Sequence, residues 1–413
     1  MKLKHWGIFI TNESHKSHFI NSLFSENKPE EFKALKNKKG LLFSKKTIEY
    51  FIDEEEKHET KLLTSNNSQR LKTMSSGEQK RVLLAHLIAK QPKFLVLDDP
   101  FDNLDISYQK KLKEILQDVS TQTSLIQIVS RITDLIPEIN SLYGLDKKRL
   151  IAHKNLASYK ASLQKLQTNK KLKLPITSQK IPLKNDELIR FKNVNVSYEN
   201  RIVVKNINWV IKQGEFWQLI GKNGSGKTTL LAMITGDNPK GYGQDLFIFG
   251  HKKGTGESVW DIKKKIGYFT PTLTENFTGY HSVAFMLISG FTDSIGLYTK
   301  PTEAQLRIAN EWLAIGNLTH LKNALFHDLT MGQKRLVMLL RAMIKQPLLL
   351  ILDEPTAGLD DQSAMLFTSL VNIIAHNSNT TILYVSHRNE PNLNPTSIFE
   401  LTMSPNGSTG TIV

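Results

Sequence analysis

The chain has 413 residues, of which 40% are apolar and 23% charged, and its formal net charge is +15. A chain of this length is too long to fold around one ordinary hydrophobic core, so a globular protein of two domains is expected. The sequence has no cysteine, which excludes disulfides, zinc fingers and iron–sulfur clusters. No stretch approaches the roughly 20 apolar residues of a membrane helix, and the opening MKLKHWGIFITNES turns polar too early for a signal peptide. We therefore expect a cytoplasmic protein.

The first half carries an apolar strand followed by ITNESHKSHF, residues 10–19. Farther along, MSSGEQ (74–79) opens a helix, KFLVLDD (93–99) is a strand that ends in two acids, and VSR (129–131) ends another strand. Between them, EYFIDEEEKHET (49–60) is rich in acids. Carboxylates at adjacent positions of a helix project in different directions around its axis and do not converge on one point. This segment therefore indicates a solvated helix face rather than a metal site.

A basic connector, residues 151–185, follows the first half and contains eight lysines and no acidic residue. Its apolar spacing is compatible with a helix to about Leu166, and Pro175 and Pro182 then break the pattern. We interpret it as a short helix and a solvated tether. The alternative is a patch that binds nucleic acid or anionic lipid.

The second half contains GEFWQLIGKNGSGKTTLL, residues 214–231, which predicts a strand, a G-x-x-x-x-G-K-T loop and a helix. This is a P-loop, in which glycines let successive backbone N–H groups surround phosphate oxygens at a helix N-terminus. Lys227 would reach the β and γ phosphates of ATP, and Thr228 would hold Mg²⁺. The predicted ATP-binding residues of the loop are Gly221, Asn223, Gly224, Ser225, Gly226, Lys227, Thr228 and Thr229.

Two further strands end in chemically active side chains. LLLILDEP (348–355) presents Asp353, a partner of the magnesium directly or through its ligands, and Glu354, which would orient the attacking water. TILYVSH (381–387) ends at His387, where it could sense the γ phosphate. A lone histidine is more often structural, but its place at a strand end favours a catalytic role. Glu354, His387 and Lys227 are the predicted catalytic residues.

Internal repetition relates the two halves. KFLVLDDPFDNLD (93–105) matches LLLILDEPTAGLD (348–360) at an offset of 255 residues, and MSSGEQ matches the segment 329–334, which begins LTMGQ, at the same offset. VSR and VSH differ by 256, and Lys16 falls under Lys227 at an offset of 211. The chain is therefore predicted to contain two copies of one fold.

The short Ser/Gly signature that precedes each acidic strand resembles the LSGGQ element of ATP-binding-cassette proteins. The resemblance implies an α/β P-loop NTPase fold with two tandem cassettes. Each would have a RecA-like core and a helical subdomain, with a β-subdomain that is reduced or missing in the first. The implied domains are a degenerate cassette at 1–150, the basic linker at 151–185 and a complete cassette at 186–413. Because such cassettes pair head to tail around two ATP molecules, intramolecular pairing is expected.

The pairing implies two composite sites of unequal quality. Site two would join the second-half residues above to the first-half signature residues Ser75, Ser76, Gly77 and Glu78. Site one would join Lys16, Ser17, Asp98, Asp99 and Arg131 to Thr330, Met331, Gly332 and Gln333. In ITNESHK, Ile10 and His15 stand where the P-loop has glycine, so side chains would crowd the phosphates or forbid the required φ. We expect site one to bind ATP weakly or not at all and to hydrolyse nothing measurable.

The start of the first half also differs. Strands precede the second P-loop, and Tyr198 among them is the expected aromatic platform for adenine. Trp6 aligns with Trp217, which leaves five residues before it and no room for such strands or such a platform. A real truncation and a start assigned too late both explain this.

Three stretches resemble, more narrowly, the fused double cassettes associated with molybdate-transport operons, the photorepair type: residues 235–250, 254–268 and 288–298. The resemblance implies an ATP-binding component for transport of molybdate or another ion. Cassettes that drive transporters carry a glutamine after the strand corresponding to IGYFTP, whereas Thr270, Pro271 and Thr272 stand there. Gln244 comes too early in the fold to replace it.

Three hypotheses follow. The first is a subunit, peripheral at the inner face of the cell membrane, that drives permease subunits. The second is an ABC-F-like factor that binds ribosomes or RNA through the basic linker. The third is a DNA-repair or regulatory ATPase.

Overall fold

The computed structural model describes residues 3–58, 61–64, 69–102, 104, 106–164, 174–175, 183–199, 201–277, 279–387, 390 and 392–413. The chain divides into two compact units: unit 1 is Met1–Thr168 with Gly358–Gln362, and unit 2 is Asn169–Ala357 with Ser363–Val413. Residues 165–173 and 176–182 of the predicted linker, including Leu166 and Pro182, lie outside the described residues. The domain boundaries expected from the sequence stay a prediction.

Unit 1 is built on one mostly parallel sheet with strand order β2-β3-β4-β1-β5-β6. Its strands are β1 (Trp6–Ile10), β2 (Gly40–Phe43), β3 (Phe94–Asp98), β4 (Ser124–Val129), β5 (Ser141–Asp146) and β6 (Arg149–His153). Its helices are α1 (Lys16–Phe24), α2 (Lys45–His58), α3 (Ser76–Ala89), α4 (Ile106–Ser120) and α5 (Leu156–Gln164). The helix predicted at the start of the connector is α5. Residues 49–58 of the acid-rich segment lie in α2, and residues 59 and 60 lie outside the described residues.

Unit 2 repeats this sheet with the order β12-β13-β14-β9-β15-β16 and adds a second, antiparallel sheet with the order β11-β10-β7-β8. Its strands are β7 (Glu187–Tyr198), β8 (Arg201–Lys212), β9 (Phe216–Gly221), β10 (Asp245–Ile248), β11 (His251–Lys252), β12 (Ile266–Phe269), β13 (Leu349–Asp353), β14 (Thr381–Ser386), β15 (Ser397–Thr402) and β16 (Thr409–Ile412). Its helices are α6 (Lys227–Thr235), α7 (Val259–Lys264), α8 (Pro271–Asn276), α9 (Val283–Ile288), α10 (Glu303–Ile315), α11 (Met331–Met343) and α12 (Asp361–Asn377).

The apolar strands β3 and β13, which end in Asp98 and Asp353, show why the six-stranded sheet of each unit is buried on both faces. In β3, Phe94 and Val96 pack into one hydrophobic cluster, and Leu95 and Leu97 pack into the cluster on the opposite face. The corresponding strand β13 divides its leucines and isoleucine in the same way. Successive side chains of a strand point to opposite faces, so a continuous apolar run fits a parallel sheet covered on both sides. The repeat seen in the sequence is therefore a repeat of the fold.

The parallel registers place the predicted site residues at one edge of each sheet. β1 lies between β4 and β5, and β9 lies between β14 and β15, all in parallel. The loop after each central strand and the acids at the ends of β3 and β13 therefore lie at the same edge of their sheet, at the carboxyl ends of two strands that are separated by one other strand. Ligands bind at this edge in open α/β sheets. Within the described residues, unit 1 has no counterpart of the antiparallel sheet, as expected for a cassette whose β-subdomain is missing. No helix in the described parts of the chain is long and apolar enough to cross a membrane.

Candidate nucleotide sites

The second-half loop is shaped by two glycines with left-handed backbone. Gly224 has φ +80° and Gly226, the N-cap of α6, has φ +97°. A Cβ on Gly226 would lie 2.5 Å from Cγ1 of Val204, so a side chain would meet both backbone strain and a clash. This loop can therefore carry no larger residue at Gly226 without moving β8.

The loop leaves donors available for an anion. Within the described chain, none of the backbone N–H groups of Asn223, Gly224 and Gly226 donates to a protein acceptor, while that of Ser225 donates to the carbonyl of Lys222 at 3.1 Å. The buried Ser225 hydroxyl likewise finds no hydrogen-bond partner among the described residues. Unpaired N–H groups at a helix N-terminus are suited to phosphate oxygens.

The Lys227 side chain, at the start of α6, bonds to carbonyls of the loop rather than to the acids. Its Nζ donates to the carbonyl oxygens of Gly221 at 2.8 Å and Lys222 at 3.3 Å. Burial lowers the pKa of Lys227, and the nearby Glu354 and Asp353 carboxylates oppose that shift without cancelling it. The ammonium group is therefore held by neutral acceptors that a phosphate could replace.

Glu354 and His387 form a pair at the ends of β13 and β14. Nδ1 of His387 is 2.8 Å from Oε2 of Glu354, and both side chains are largely buried. Glu354 has φ +48°, and its N–H donates to the carbonyl of Val385 at 2.9 Å. A residue other than glycine is strained in the left-handed region, and such strain is tolerated chiefly at functional sites.

Thr228 and Asp353 are the residues expected to hold Mg²⁺. Thr228, in the first turn of α6, is exposed, and Asp353 offers a carboxylate at the end of β13. Burial, with Glu354 nearby, raises the pKa of Asp353 to about 6, and a bound cation would reverse that shift. Among the described residues, no group of three or more acidic or histidine side chains is arranged to hold a metal ion. Two protein oxygens, completed by phosphates and water, is the arrangement that Mg²⁺ favours beside nucleotides, so the residues fit.

Tyr198 ends β7 with 43% of its side chain exposed. Its hydroxyl accepts a hydrogen bond from Nδ2 of Asn238 at 2.8 Å, and Lys240 lies over the ring with Nζ 6.0 Å from its centre. The ring is thus anchored at one end and leaves a face exposed. Its predicted role as an adenine platform stays a prediction.

The first-half loop has no such free donors. Every backbone N–H from Thr11 to Lys16 donates to an acceptor within unit 1. Three of the acceptors are side chains: the N–H of Thr11 donates to the Ser14 hydroxyl, that of Asn12 to the Asp360 carboxylate and that of Glu13 to the Thr11 hydroxyl. The other three are carbonyls: the N–H of Ser14 donates to Thr11, that of His15 to Lys147 and that of Lys16 to Ser14. His15, at the position of Gly226, has φ −80° rather than a positive value. The Ser14 hydroxyl also donates to the carbonyl of Leu145. The loop is closed on itself by protein acceptors.

Lys16 is also occupied, by the two acids of its own unit. Its Nζ is 2.9 Å from Oδ1 of Asp98 and 3.1 Å from Oδ2 of Asp99. Burial lowers the pKa of Lys16, but the two carboxylates outweigh burial and the net shift is upward. Asp99 keeps the left-handed backbone of Glu354, with φ +44°, yet its other oxygen accepts from the N–H and hydroxyl of Ser130. Lys16 and Lys227 thus have opposite surroundings, while Ser17 lies exposed beside Lys16 in the first turn of α1.

Arg131, which stands where unit 2 has His387, is buried. Its Nε donates to the carbonyl of Leu359 at 2.7 Å, within the segment 358–362 that belongs to unit 1. The guanidinium is therefore part of a structural contact of unit 1.

Both predicted signature segments begin helices with the same cap. Ser75 caps α3 in a capping box with Glu78, and Thr330 caps α11 in a capping box with Gln333. Ser76 and Gly77 follow in the first turn of α3, and Met331 and Gly332 in that of α11. Hydrogen bonds from the hydroxyl and N–H of Ser75 lower the pKa of Glu78, so unit 1 presents a carboxylate where unit 2 presents an amide.

The residues that replace the transporter glutamine have a local role. The Thr270 hydroxyl caps α8 by accepting from the N–H of Leu273 at 3.3 Å, and Pro271 opens that helix. Gln244 bonds the backbone of Asn195 beside the antiparallel sheet, so its side chain is engaged there.

Sequence reasoning missed a buried polar cluster in unit 2 that consists of Thr356, Tyr384 and Glu390. A comparison of the two copies could have found it, because unit 1 has the apolar residues Phe101 and Ile128 at the positions of Thr356 and Tyr384.

The fold and these two loops define an ATP-binding-cassette protein with two tandem cassettes. The family model described as "ABC transporter" matches residues 9–102 and 204–357. The chain belongs to this family.

Among relatives, it is 35% identical over 340 residues to the ABC transporter ATP-binding protein ModF of Escherichia coli (strain K12), covering 79% of this chain and 69% of that protein. It is 32% identical over 290 residues to an uncharacterized ABC transporter ATP-binding protein of Schizosaccharomyces pombe, covering 70% of this chain and 59% of that protein. The chain therefore spans about six- to seven-tenths of the length of these two relatives.

One solved structure with similarity over nearly the whole chain is the archaeal ribosome recycling factor aABCE1, in complex with ribosomal stalk protein aP1. The identity is 17% and the TM-score 0.64, covering 98% of this chain and 85% of that one. Another is the RNase-L Inhibitor, at 15% identity and a TM-score of 0.65, with the same coverage. These similarities show the fold.

Proposed function

We propose that the chain is an ATP hydrolase whose working site lies on the second cassette. The observation that carries this proposal is the bonding of the two lysines. Among the described residues, the Lys227 ammonium donates to neutral carbonyls and forms no ion pair, while Lys16 forms ion pairs with Asp98 and Asp99. A lysine bound to carbonyls can exchange them for phosphate oxygens at little cost. A lysine bound to two carboxylates would have to give up charge-assisted bonds and leave two partly buried carboxylates without their cation.

In this proposal, the loop N–H groups of unit 2 bind the phosphates and Lys227 neutralises their charge. Mg²⁺ would be held by Thr228 and Asp353 and, when bound, would neutralise the charge that develops on the phosphate oxygens. Glu354 orients the attacking water and draws its proton, and His387 holds the Glu354 carboxylate at the strand end. A positioned carboxylate of this kind contributes about 100- to 10,000-fold in rate.

We propose further that the first cassette does not turn over ATP. Its loop N–H groups already have acceptors, and its acid in the position of Glu354 is engaged by Ser130. The pairing of each P-loop with the opposite signature segment is proposed from the family resemblance.

Hydrolysis is tested directly with purified wild-type protein and two variants. Glu354→Gln keeps the size of the side chain and its bond to His387, and we expect its ATPase rate to fall at least about 100-fold while ATP still binds. Asp99→Asn is the matched change in unit 1 and should leave the rate within about twofold of wild type. Equal losses in the two variants would contradict the proposal.

For its partner, we propose an association with transport of molybdate or another ion. The support is the likeness to ModF and to the zinc uptake system ATP-binding protein ZurA of Listeria innocua, which is 30% identical over 205 residues, 49% of this chain and 77% of that protein. Capture with the Glu354→Gln variant in ATP should recover a permease subunit. Recovery of ribosomes or of DNA in its place would reject the transport assignment.

A further inference from the structure

Unit 2 contains a buried polar cluster whose residues are close in sequence to Glu354 and His387. The Thr356 hydroxyl donates to Oε1 of Glu390 at 2.6 Å and lies 3.1 Å from the Tyr384 hydroxyl. Thr356 is 2% exposed, Tyr384 0% and Glu390 8%. A threonine hydroxyl has one proton to donate, so Tyr384 is the donor in its contact with Thr356. The bonds therefore run in one direction, from Tyr384 through Thr356 to Glu390.

The three residues adjoin the catalytic pair along the chain. Thr356 follows Glu354 by two residues, and Tyr384 and Glu390 lie three residues before and after His387. The cluster thus joins Thr356, in the segment after β13, to Tyr384 in β14 and to Glu390 beyond the end of β14. Two further bonds between these segments involve Glu354 itself: its N–H donates to the carbonyl of Val385, and its carboxylate pairs with His387.

The other copy of the fold shows that this cluster is not needed to build it. Phe101 and Ile128 occupy the positions of Thr356 and Tyr384 in unit 1, and both are buried. Replacing a buried hydrogen-bonded group by an apolar one of similar shape can be nearly neutral for stability. The second cassette therefore has a buried hydrogen-bonded cluster that the fold does not require. This is also the cassette in which Glu354 and His387 are paired.

We propose that Glu390, acting through Thr356 and Tyr384, is a positioning residue that keeps Glu354 and His387 aligned for hydrolysis. This inference rests on the proposed function of the second cassette. Hydrogen-bonded chains in a buried setting hold their members in one geometry, and small displacements of a catalytic group can cost up to about 100-fold in rate.

The kinetic test compares Thr356→Val with Thr356→Ser. Valine keeps the shape and removes the hydroxyl, so we expect kcat for ATP to fall at least about tenfold with KM within about twofold, because the loop and Lys227 still bind the phosphates. Serine keeps the hydroxyl and should restore kcat to within about threefold of wild type. Glu390→Leu should behave like Thr356→Val. Wild-type kcat in Thr356→Val, or equal losses in the valine and serine variants, would overturn the proposal.

Amide hydrogen exchange gives a readout that does not depend on turnover. In nucleotide-free protein, Thr356→Val should speed exchange in peptides that cover Glu354–Thr356 and Tyr384–His387, and leave peptides of β9 unchanged. Thr356→Ser should exchange like the wild type. If wild-type protein fails to hydrolyse ATP, the proposed function fails while the exchange result still decides the positioning role. Unchanged exchange in Thr356→Val would reject that role whatever the ATPase rate.

Discussion

His387 binds Glu354 directly, with Nδ1 of the imidazole 2.8 Å from Oε2 of the carboxylate. In unit 1 the acid in the place of Glu354 is Asp99, which binds Lys16 and Ser130. The two copies therefore share the strand end and the left-handed backbone at the second acid but differ in what binds its carboxylate. In unit 2 a histidine binds the Glu354 carboxylate, and in unit 1 a lysine forms an ion pair with the Asp99 carboxylate.

The P-loop glycine offers a sharp test of the second site. Gly226→Ala places a methyl group against Val204 and imposes left-handed strain of about 1–3 kcal/mol. Because the loop must shift, we expect ATP affinity to fall at least about tenfold in a nucleotide-binding titration. Gly243→Ala is the matched control, since Gly243 has φ +77° with open space around its Cβ position. Gly243→Ala should have similar backbone strain and should bind ATP as tightly as the wild type does. An equal loss of ATP affinity in Gly243→Ala would show that the loss in Gly226→Ala reflects lower protein stability and not a change in the P-loop.

The adenine platform is tested at Tyr198. Stacking of a base on an aromatic ring is worth about 1–3 kcal/mol, so Tyr198→Ala should raise the Kd for ATP about 5- to 100-fold, while Tyr198→Phe should keep most of the affinity. Tyr242, 52% exposed in the same unit, serves as the control, and Tyr242→Ala should leave the Kd unchanged. Loss of affinity in Tyr242→Ala but not in Tyr198→Ala would move the platform elsewhere.

A pH-dependent contribution to stability is expected at Asp361, in the segment grouped with unit 1. Burial raises its pKa from 3.8 to about 6, with Asp360 and Asp134 adding to the rise and the Ile132 N–H and Arg131 opposing it. Between pH 4 and 6 the folded state binds more protons than the unfolded state, so this residue makes stability fall as pH rises through that window.

Asp361→Asn removes the buried charge and keeps an acceptor for Ile132. We expect it to stabilise the protein by about 1–2 kcal/mol above pH 6 and to have little effect near pH 4, measured by thermal unfolding across that range. Asp146→Asn, at an exposed position, is the control and should shift Tm little at any pH. A destabilised Asp361→Asn at pH 7.5 would show that the carboxylate is needed as a charge.

Much of the fold could be predicted from the sequence because the signature, the acidic strand and the strand after it recur in the same order at offsets of 255 and 256 residues, which leaves few alternatives. The strand ends carrying Asp98, Asp353 and His387 lie where the pattern indicates. The connector could be predicted only as far as its first helix, since lysine-rich polar sequence has no periodicity to interpret beyond it.

The site was harder to predict where function depends on tertiary hydrogen bonds. His15 in place of glycine indicates a changed loop, but sequence alone does not show that Lys147 and Asp360 supply acceptors to that loop. Glu390 has no motif around it, and its burial against Thr356 follows from packing between two strand ends.

The most direct test of the central claim is the paired substitution of the two lysines. Lys227→Ala and Lys16→Ala remove the same group from equivalent positions, and steady-state ATPase rates of purified protein compare them. We expect Lys227→Ala to abolish measurable hydrolysis and Lys16→Ala to leave the rate within about twofold of wild type. Equal losses in both variants, or loss only in Lys16→Ala, would contradict a single working site on the second cassette.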